Sequence, residues 1–250
     1  MVIVGSILLI LAVIFYFVSR SNAGQLAALN TADTYSAQLL GEVHKKVATA
    51  LGKDAFAQTC EIEGVIECDS PLVTSTNMTP CVAYTRTVTR EYEERVTSAD
   101  SEGKRETRTE RNSETLESQD RRTNFYVRDA TGRTLVLSED AELDLVEVGN
   151  SFEDAQNSRW SGLTRTLGQR TVEYALPVGV QVFVLGCAVD HSGSPAVGKG
   201  PKNKKQRFMV SRQSEHELAG SAQAWARNML YAASGSGALG ALLLIIGLIN

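Results

Sequence analysis

The sequence predicts a mainly β domain with an N-terminal neck helix, held between two transmembrane α-helices. Three observations predict it. Uncharged apolar runs stand near both ends of the 250 residues, from Val2 to Val18 and from Met229 to Ile249. Helical spacing of leucine and valine outside those runs is confined to the segment before Gly52. Beyond Gly52 the chain breaks into short runs rich in Val, Thr and Tyr, the composition of strands.

The first run, "VIVGSILLILAVIFYFV" over residues 2–18, is closed by Ser19 and Arg20. A secretory signal peptide wants a basic start, whereas the first charged side chain here is Arg20, so the run reads as an uncleaved anchor. The Ala-rich stretch "SNAGQLAALN" leaves cleavage open as the alternative. Residues 22–51 then place Leu26, Leu29, Leu39, Leu40, Val43, Val47 and Leu51 at near-helical spacing, which predicts an amphipathic neck helix ended by Gly52.

Residues 56–212 carry the predicted β domain. "CEIEGVIECD" alternates apolar and polar residues around Gly64, a bulge or bend signal. "DATGR" separates two strand-like runs with Asp129 and Gly132, a tight-hairpin signal. Pro177 and Gly179 introduce the dense apolar strand "VQVFVLGCAV", and "RFMVSR" closes the domain. Between Arg86 and Arg122 acids and bases are nearly balanced and few apolar residues occur. Such a stretch is either disordered or a long charged hairpin turning near Ala99 to Gly103, with opposite charges facing across the strands; ordered bases and a mobile tip are the expectation.

The second run, residues 229–249, contains Gly235, Gly237 and Gly240 in the G-x-G-x-x-G pattern of dinucleotide-binding loops. That fingerprint needs a preceding strand, a following helix and an acid about 20 residues later, and no acidic residue follows Glu217. The run instead has the length of a membrane-spanning helix. Ala233 with Gly237, Ser236 with Gly240 and Gly237 with Ala241 are then small-residue pairs that permit close helix approach, including a homo-oligomer through the second span.

The composition narrows the function classes. A formal net charge of −4 argues against nucleic acid as a partner. The basic cluster Lys199, Lys202, Lys204, Lys205 and Arg207 lacks interleaved aromatics and reads as a solvated loop, with anionic lipid headgroups as the alternative contact. Cys60, Cys68, Cys81 and Cys187 form no Cys-x-x-Cys pair, and His44, His191 and His216 do not complete a zinc site. His216 begins an H-E-x-x pattern, but Gly220 stands where a metalloprotease needs its second histidine. No Walker loop and no G-x-S-x-G elbow occurs. The sequence therefore nominates no catalytic, cofactor-binding or metal-binding residue, and no cofactor.

An ordered set of pieces resembles the GIDE family, the "beside a membrane" domain of the mitochondrial membrane-anchored E3 ubiquitin ligase. The pieces are Pro71-Leu72, "PCVAYTRTVTREYEE" from Pro80, "FYVRDATGRTLV" with Asp129 and Gly132, and "VEYALPVGVQVFVLG" with Leu176, Pro177, Gly179 and Gly186. The resemblance covers roughly Gly64 to Val189 and implies a partly open, OB-like β-barrel or sandwich between two membrane helices. It implies no active site, because the matched residues shape turns and strands. In the ligase a zinc-binding RING follows the second span; no cysteine follows Cys187 here, so ligase chemistry by that mechanism is not expected, and the layout resembles the shorter prokaryotic members.

These readings converge on a two-pass integral membrane protein whose domain docks an unidentified protein partner beside the bilayer. A component of an E3 ubiquitin ligase-like system with catalysis on another chain is the first alternative, and a lipid or small-ligand module using a cleft beneath the barrel is the second. Arg20 and Arg227 border the spans on the domain side, which by the positive-inside rule puts the domain in the cytoplasm, whereas the mitochondrial relative's domain faces the intermembrane space.

Overall fold

The computed structural model describes residues 2–29, 33–52, 56–99, 105–200 and 207–249. Helix α1 spans Val2–Leu29, α2 spans Ala37–Leu51 and α3 spans Glu215–Ile249. Thirteen strands are described: β1 Asp33–Thr34, β2 Ala57–Glu67, β3 Leu72–Val73, β4 Pro80–Ala99, β5 Arg105–Arg122, β6 Phe125–Arg128, β7 Arg133–Val136, β8 Glu142–Leu143, β9 Val146–Asp154, β10 Thr164–Pro177, β11 Gln181–His191, β12 Ser194–Gly198 and β13 Met209–Ser211.

Five of these strands close a barrel. β2 pairs with β6, β6 with β7, β7 with β12, β12 with β11, and β11 returns to β2. Only the β7–β12 contact in this ring is parallel. The expectation of a partly open barrel or a sandwich is thus corrected to a closed ring. Closure falls at Gly64, where β2 leaves β11 for β6. A Cβ on Gly64 would lie 2.2 Å from the Arg128 carbonyl oxygen, so only glycine lets the strands approach at this corner. Phe125, Ile66, Val136, Val182 and Val184 fill the interior and are essentially inaccessible to water. The alternation in "CEIEGVIECD" is the sequence trace of this one-sided burial.

A second sheet, ordered β3-β4-β10-β9, grows from the barrel, with β5 added to the β4 edge beyond β3. β10 and β11 join the two sheets through Pro177–Val180, where Gly179 takes φ +85° and its amide donates to the Ile66 carbonyl. Gly132 lacks the positive φ that a tight turn suggested; its backbone lies instead against Ala37 of α2.

The expected neck helix over residues 22–51 is not one helix. α1 ends at Leu29, β1 adds in parallel to β2, and α2 begins anew at Ala37 with Ser36 Oγ accepting from the Leu39 amide. The reason is legible afterwards: no leucine, isoleucine or valine lies between Leu29 and Leu39, and the polar residues Asp33, Thr34 and Ser36 favour an extended entry and a cap. α2 lays Leu40 and His44 on the barrel and stops at Gly52, at φ +92°.

Two spanning helices were also expected, and among the described residues only α3 is long and apolar enough to cross a membrane, over Gln223–Gly247. This begins earlier than the expected Met229, because a long apolar window tolerates the single charge of Arg227. The apolar part of α1, Ile3–Phe17, is shorter. At 1.5 Å per residue it covers about 22 Å of a hydrocarbon core about 30 Å thick. α1 nevertheless runs antiparallel along α3: a Cβ on Gly5 would lie 2.9 Å from the Gly240 carbonyl oxygen, and one on Gly240 would lie 3.0 Å from that of Gly5. Gly237 faces Ala12 on the same seam. Gly237 and Gly240, two of the small residues that permitted helix pairing, are thus engaged within the chain. Large apolar side chains point outward instead, among them Ile3, Ile7, Phe17, Leu242 and Ile245.

Candidate functional site

The longest strand pair is the ribbon of β4 and β5, paired from Ala83↔Arg122 to Ala99↔Arg105, and its β5 strand is exposed over most of its length. β10 accompanies β4 as far as Glu94↔Thr164, with the Arg95 amide still donating to the Leu163 carbonyl, so the last four residues of β4 continue with β5 alone. Among the described residues no strand pairs with the outer edge of β5, which presents backbone donors and acceptors along 18 residues. The residues at the tip, 100–104, lie outside the described part.

Charge pairing holds the ribbon in register. Arg86 reaches Glu117 at 2.9 Å, Arg90 reaches Glu114 at 3.1 Å, and Glu91 accepts from both Arg111 at 2.5 Å and Arg170 at 2.7 Å. The two arginines hold the Glu91 carboxyl below its ordinary range. Where the ribbon leaves β10, the Arg95 guanidinium lies 4.0 Å from the Trp160 ring centroid, and Arg165 lies at 5.5 Å. Opposite charges facing across strands account for this geometry, and the aromatic ring between two cations adds a clasp.

Two carboxylates anchor the loops beneath. Glu173 is fully buried in β10 and accepts hydrogen bonds from the Ser75 amide at 3.0 Å, the Thr76 amide at 2.8 Å and the Ser75 hydroxyl. Burial alone raises a carboxyl pKa; the bonds from Ser75 and Thr76 outweigh it and hold Glu173 below its ordinary range. Asp129 in the β6–β7 turn accepts from the Thr131 and Gly132 amides and, at 2.7 Å, from the Ala37 amide at the start of α2. Against the cost of its burial, these bonds lower its pKa as well.

The residues weighed from sequence scatter. His44 is buried on α2 with Nε2 2.6 Å from Asp190, His191 ends β11 and His216 lies in α3. No cluster of three metal-ligating side chains occurs among the described residues. All four cysteines are free thiols: Cys60 on β2, Cys81 on β4 and Cys187 on β11 are buried, and Cys68 is partly exposed. Burial pushes the Cys60 thiol up to about 12 and the Cys81 thiol to about 11, which leaves both unreactive at neutral pH. Lys202, Lys204 and Lys205 lie outside the described residues. The ends of that basic segment meet acids, Lys199 with Asp140 at 3.5 Å and Arg207 with Glu142 at 3.0 Å. A cleft of about 280 Å³ between β8 and β13, beneath the barrel, is walled by the Arg207–Glu142 pair and by Asp144, itself paired with Arg212.

Sequence reasoning missed Glu173, Trp160 and the His44–Asp190 pair. Each acts across long separations, 98 residues for Ser75–Glu173 and 146 for His44–Asp190, and no local spacing signals such contacts. Asp129 was visible as a turn residue, but not as the cap of a helix 92 residues earlier.

The model of the GIDE family, described as an E3 ubiquitin ligase, matches residues 93–246 of the chain. The match runs from the ribbon through the second sheet and the barrel into α3. No curated protein and no solved structure matches.

Proposed function

The chain belongs to the GIDE family, and from that premise we propose that it is a membrane-anchored, non-catalytic interaction module whose β4–β5 ribbon docks a protein partner. The observation that carries this reading is the ribbon: two long strands, aligned by ion pairs, with one edge unpaired among the described residues. Edge strands are ready templates for an added strand of another chain, with side chains on either face supplying selectivity. The ring order β2-β6-β7-β12-β11, with its parallel β7–β12 contact, supports an OB-like reading of the barrel that carries the ribbon.

In this reading α1 and α3 enter the bilayer together as a helical hairpin. Support comes from their reciprocal glycine contact and from the large apolar side chains on the outside of the pair, the reverse of packing in water. Pairing with the longer α3 offsets the shortness of the α1 apolar stretch, since a thinned bilayer or flanking polar residues accommodate the difference.

A second reading keeps the same surface and assigns the partner: the ribbon recruits the catalytic chain of a ubiquitin-type transfer system. The family's description as an E3 ubiquitin ligase favours it.

The test replaces Val96–Arg108 with an Asn-Gly turn, which removes the free end of the ribbon and leaves the β4–β10 pairing intact. Both forms are cross-linked in native membranes and purified in maltoside. A stoichiometric partner that the shortened form loses is the expected result; recovery of the chain alone in both forms overturns it. A conjugating-enzyme or RING-bearing partner supports the second reading, and any other partner leaves only the first.

A further inference from the structure

The His44–Asp190 pair borders a cleft that the docking reading does not use. α2 and the β11–β12 hairpin enclose about 370 Å³ between them, within the range of small-molecule sites. Gly41 and Ala48 on α2 and Pro195 on β12 form its apolar walls. His44, Lys45, Thr49 and Ser194 supply the polar groups, and no acidic side chain is among the lining residues.

The imidazole is fixed in place. It is 5% exposed, packs edge-on against Phe56 and binds Asp190 Oδ2 through Nε2 at 2.6 Å. Asp190 also accepts from the Gly193 amide at 3.0 Å, which ties the carboxylate to the hairpin turn, where Ser192 and Gly193 both take positive φ. Nε2 therefore carries the hydrogen that Asp190 accepts. Nδ1 is then the unprotonated nitrogen; it makes no hydrogen bond among the described residues and is left to accept one from a ligand. A carboxylate that fixes the tautomer and orientation of a histidine is the arrangement used wherever the other ring nitrogen has work to do.

We infer that this cleft binds a small hydrogen phosphate group, its P–OH donating to His44 Nδ1 and its anionic oxygens meeting the Lys45 ammonium, with the apolar part of the ligand against Gly41, Ala48 and Pro195. The cation on the rim and the lack of a lining acid select negative charge. Ser194 Oγ is a further donor, whereas the Thr49 hydroxyl already donates to the Lys45 carbonyl at 2.8 Å. This inference is independent of the docking reading.

The experiment uses the full chain in maltoside micelles, titrated with butyrate, inorganic phosphate or short-chain phosphatidic acid and followed by calorimetry. Saturable binding of inorganic phosphate or phosphatidic acid is expected, and none of butyrate, which has no hydrogen to donate to Nδ1. The dissociation constant of the phosphate rises about tenfold in Lys45→Gln, the loss of one charge-assisted hydrogen bond, and is unchanged in Lys46→Gln, one residue outside the lining. Asp190→Ala, which removes the acceptor and leaves the ring unanchored, weakens binding as well. Phosphatidic acid binding without inorganic phosphate binding names a lipid headgroup; the converse names a free anion. No saturable binding of either phosphate, butyrate binding as tight as theirs, or equal weakening by both lysine variants overturns the inference.

Discussion

The barrel and the ribbon-bearing sheet share one chain and are held by different forces. The barrel is closed on itself and filled by Phe125, Ile66, Val136 and Val184, with its strands tied into a ring that has no free edge along the circuit. The ribbon buries few side chains, and ion pairs cross it along its length: Arg86 with Glu117, Arg90 with Glu114, Arg111 with Glu91. Apolar burial contributes in proportion to area and is indifferent to salt at moderate concentration, whereas exposed ion pairs contribute little and are screened. A ribbon held this way keeps its shape near the barrel and remains free to exchange its outer edge with another chain. The difference assigns stability to one region and recognition to the other, and it can be broken or sharpened region by region.

The largest effects belong in the barrel. Phe125→Ala removes a fully buried ring and is expected to cost about 3–5 kcal/mol in urea denaturation of the chain in maltoside micelles. Gly64→Ala follows at about 3 kcal/mol, the upper part of the range for overpacking, because the atom its Cβ meets is the Arg128 backbone carbonyl and cannot rotate away.

Glu173→Gln comes next, at about 1–3 kcal/mol, since a neutral amide leaves the Ser75 and Thr76 donors poorly matched in a buried site. The effect carries a pH signature. The folded Glu173 carboxyl titrates below its unfolded value, so its contribution is fully present above the unfolded pKa and is lost as pH falls through the folded one. Wild-type stability therefore declines on the acid side of the unfolded pKa, about 4.3, and the Gln variant shows a shallower decline there.

Arg90→Gln is expected to cost less than about 1 kcal/mol, as its pair with Glu114 is part-exposed. Raising the salt concentration should mimic it, speeding hydrogen exchange in β5 while β2 and β11 are unaffected. Arg95→Gln is the smallest perturbation, removing one cation from the Trp160 ring and changing its fluorescence while the unfolding free energy falls by no more than about 0.5–1 kcal/mol.

Much of this division was written in the sequence. The dense apolar strand beginning at Gln181, the bend at Gly64 and the turn at Asp129 to Gly132 follow from local periodicity and turn chemistry, and these residues build the barrel. The near balance of acids and bases from Arg86 to Arg122 admitted both disorder and a hairpin, because composition does not say which charge faces which; the register between β4 and β5 supplies that. Ring closure was not legible, since it depends on β2 and β11 meeting across more than a hundred residues. The break between α1 and α2 was hidden by leucines on both sides of it, where spacing alone bridged a gap that Ser36 turns into a cap. The anion cleft was out of reach for a similar reason: His44 and Asp190 are unremarkable in their own surroundings and become a pair only once α2 docks on the barrel.

Hydrogen exchange measured on the protein in native membrane vesicles, and again after purification into maltoside, tests the central claim most directly. A partner added along the outer edge of β5 covers amides that are otherwise open to water, so the account predicts that β5 exchanges markedly more slowly in the native membrane while the barrel strands β2 and β11 exchange alike in both. Equal exchange of β5 in the two settings would contradict the claim that the ribbon is the docking surface.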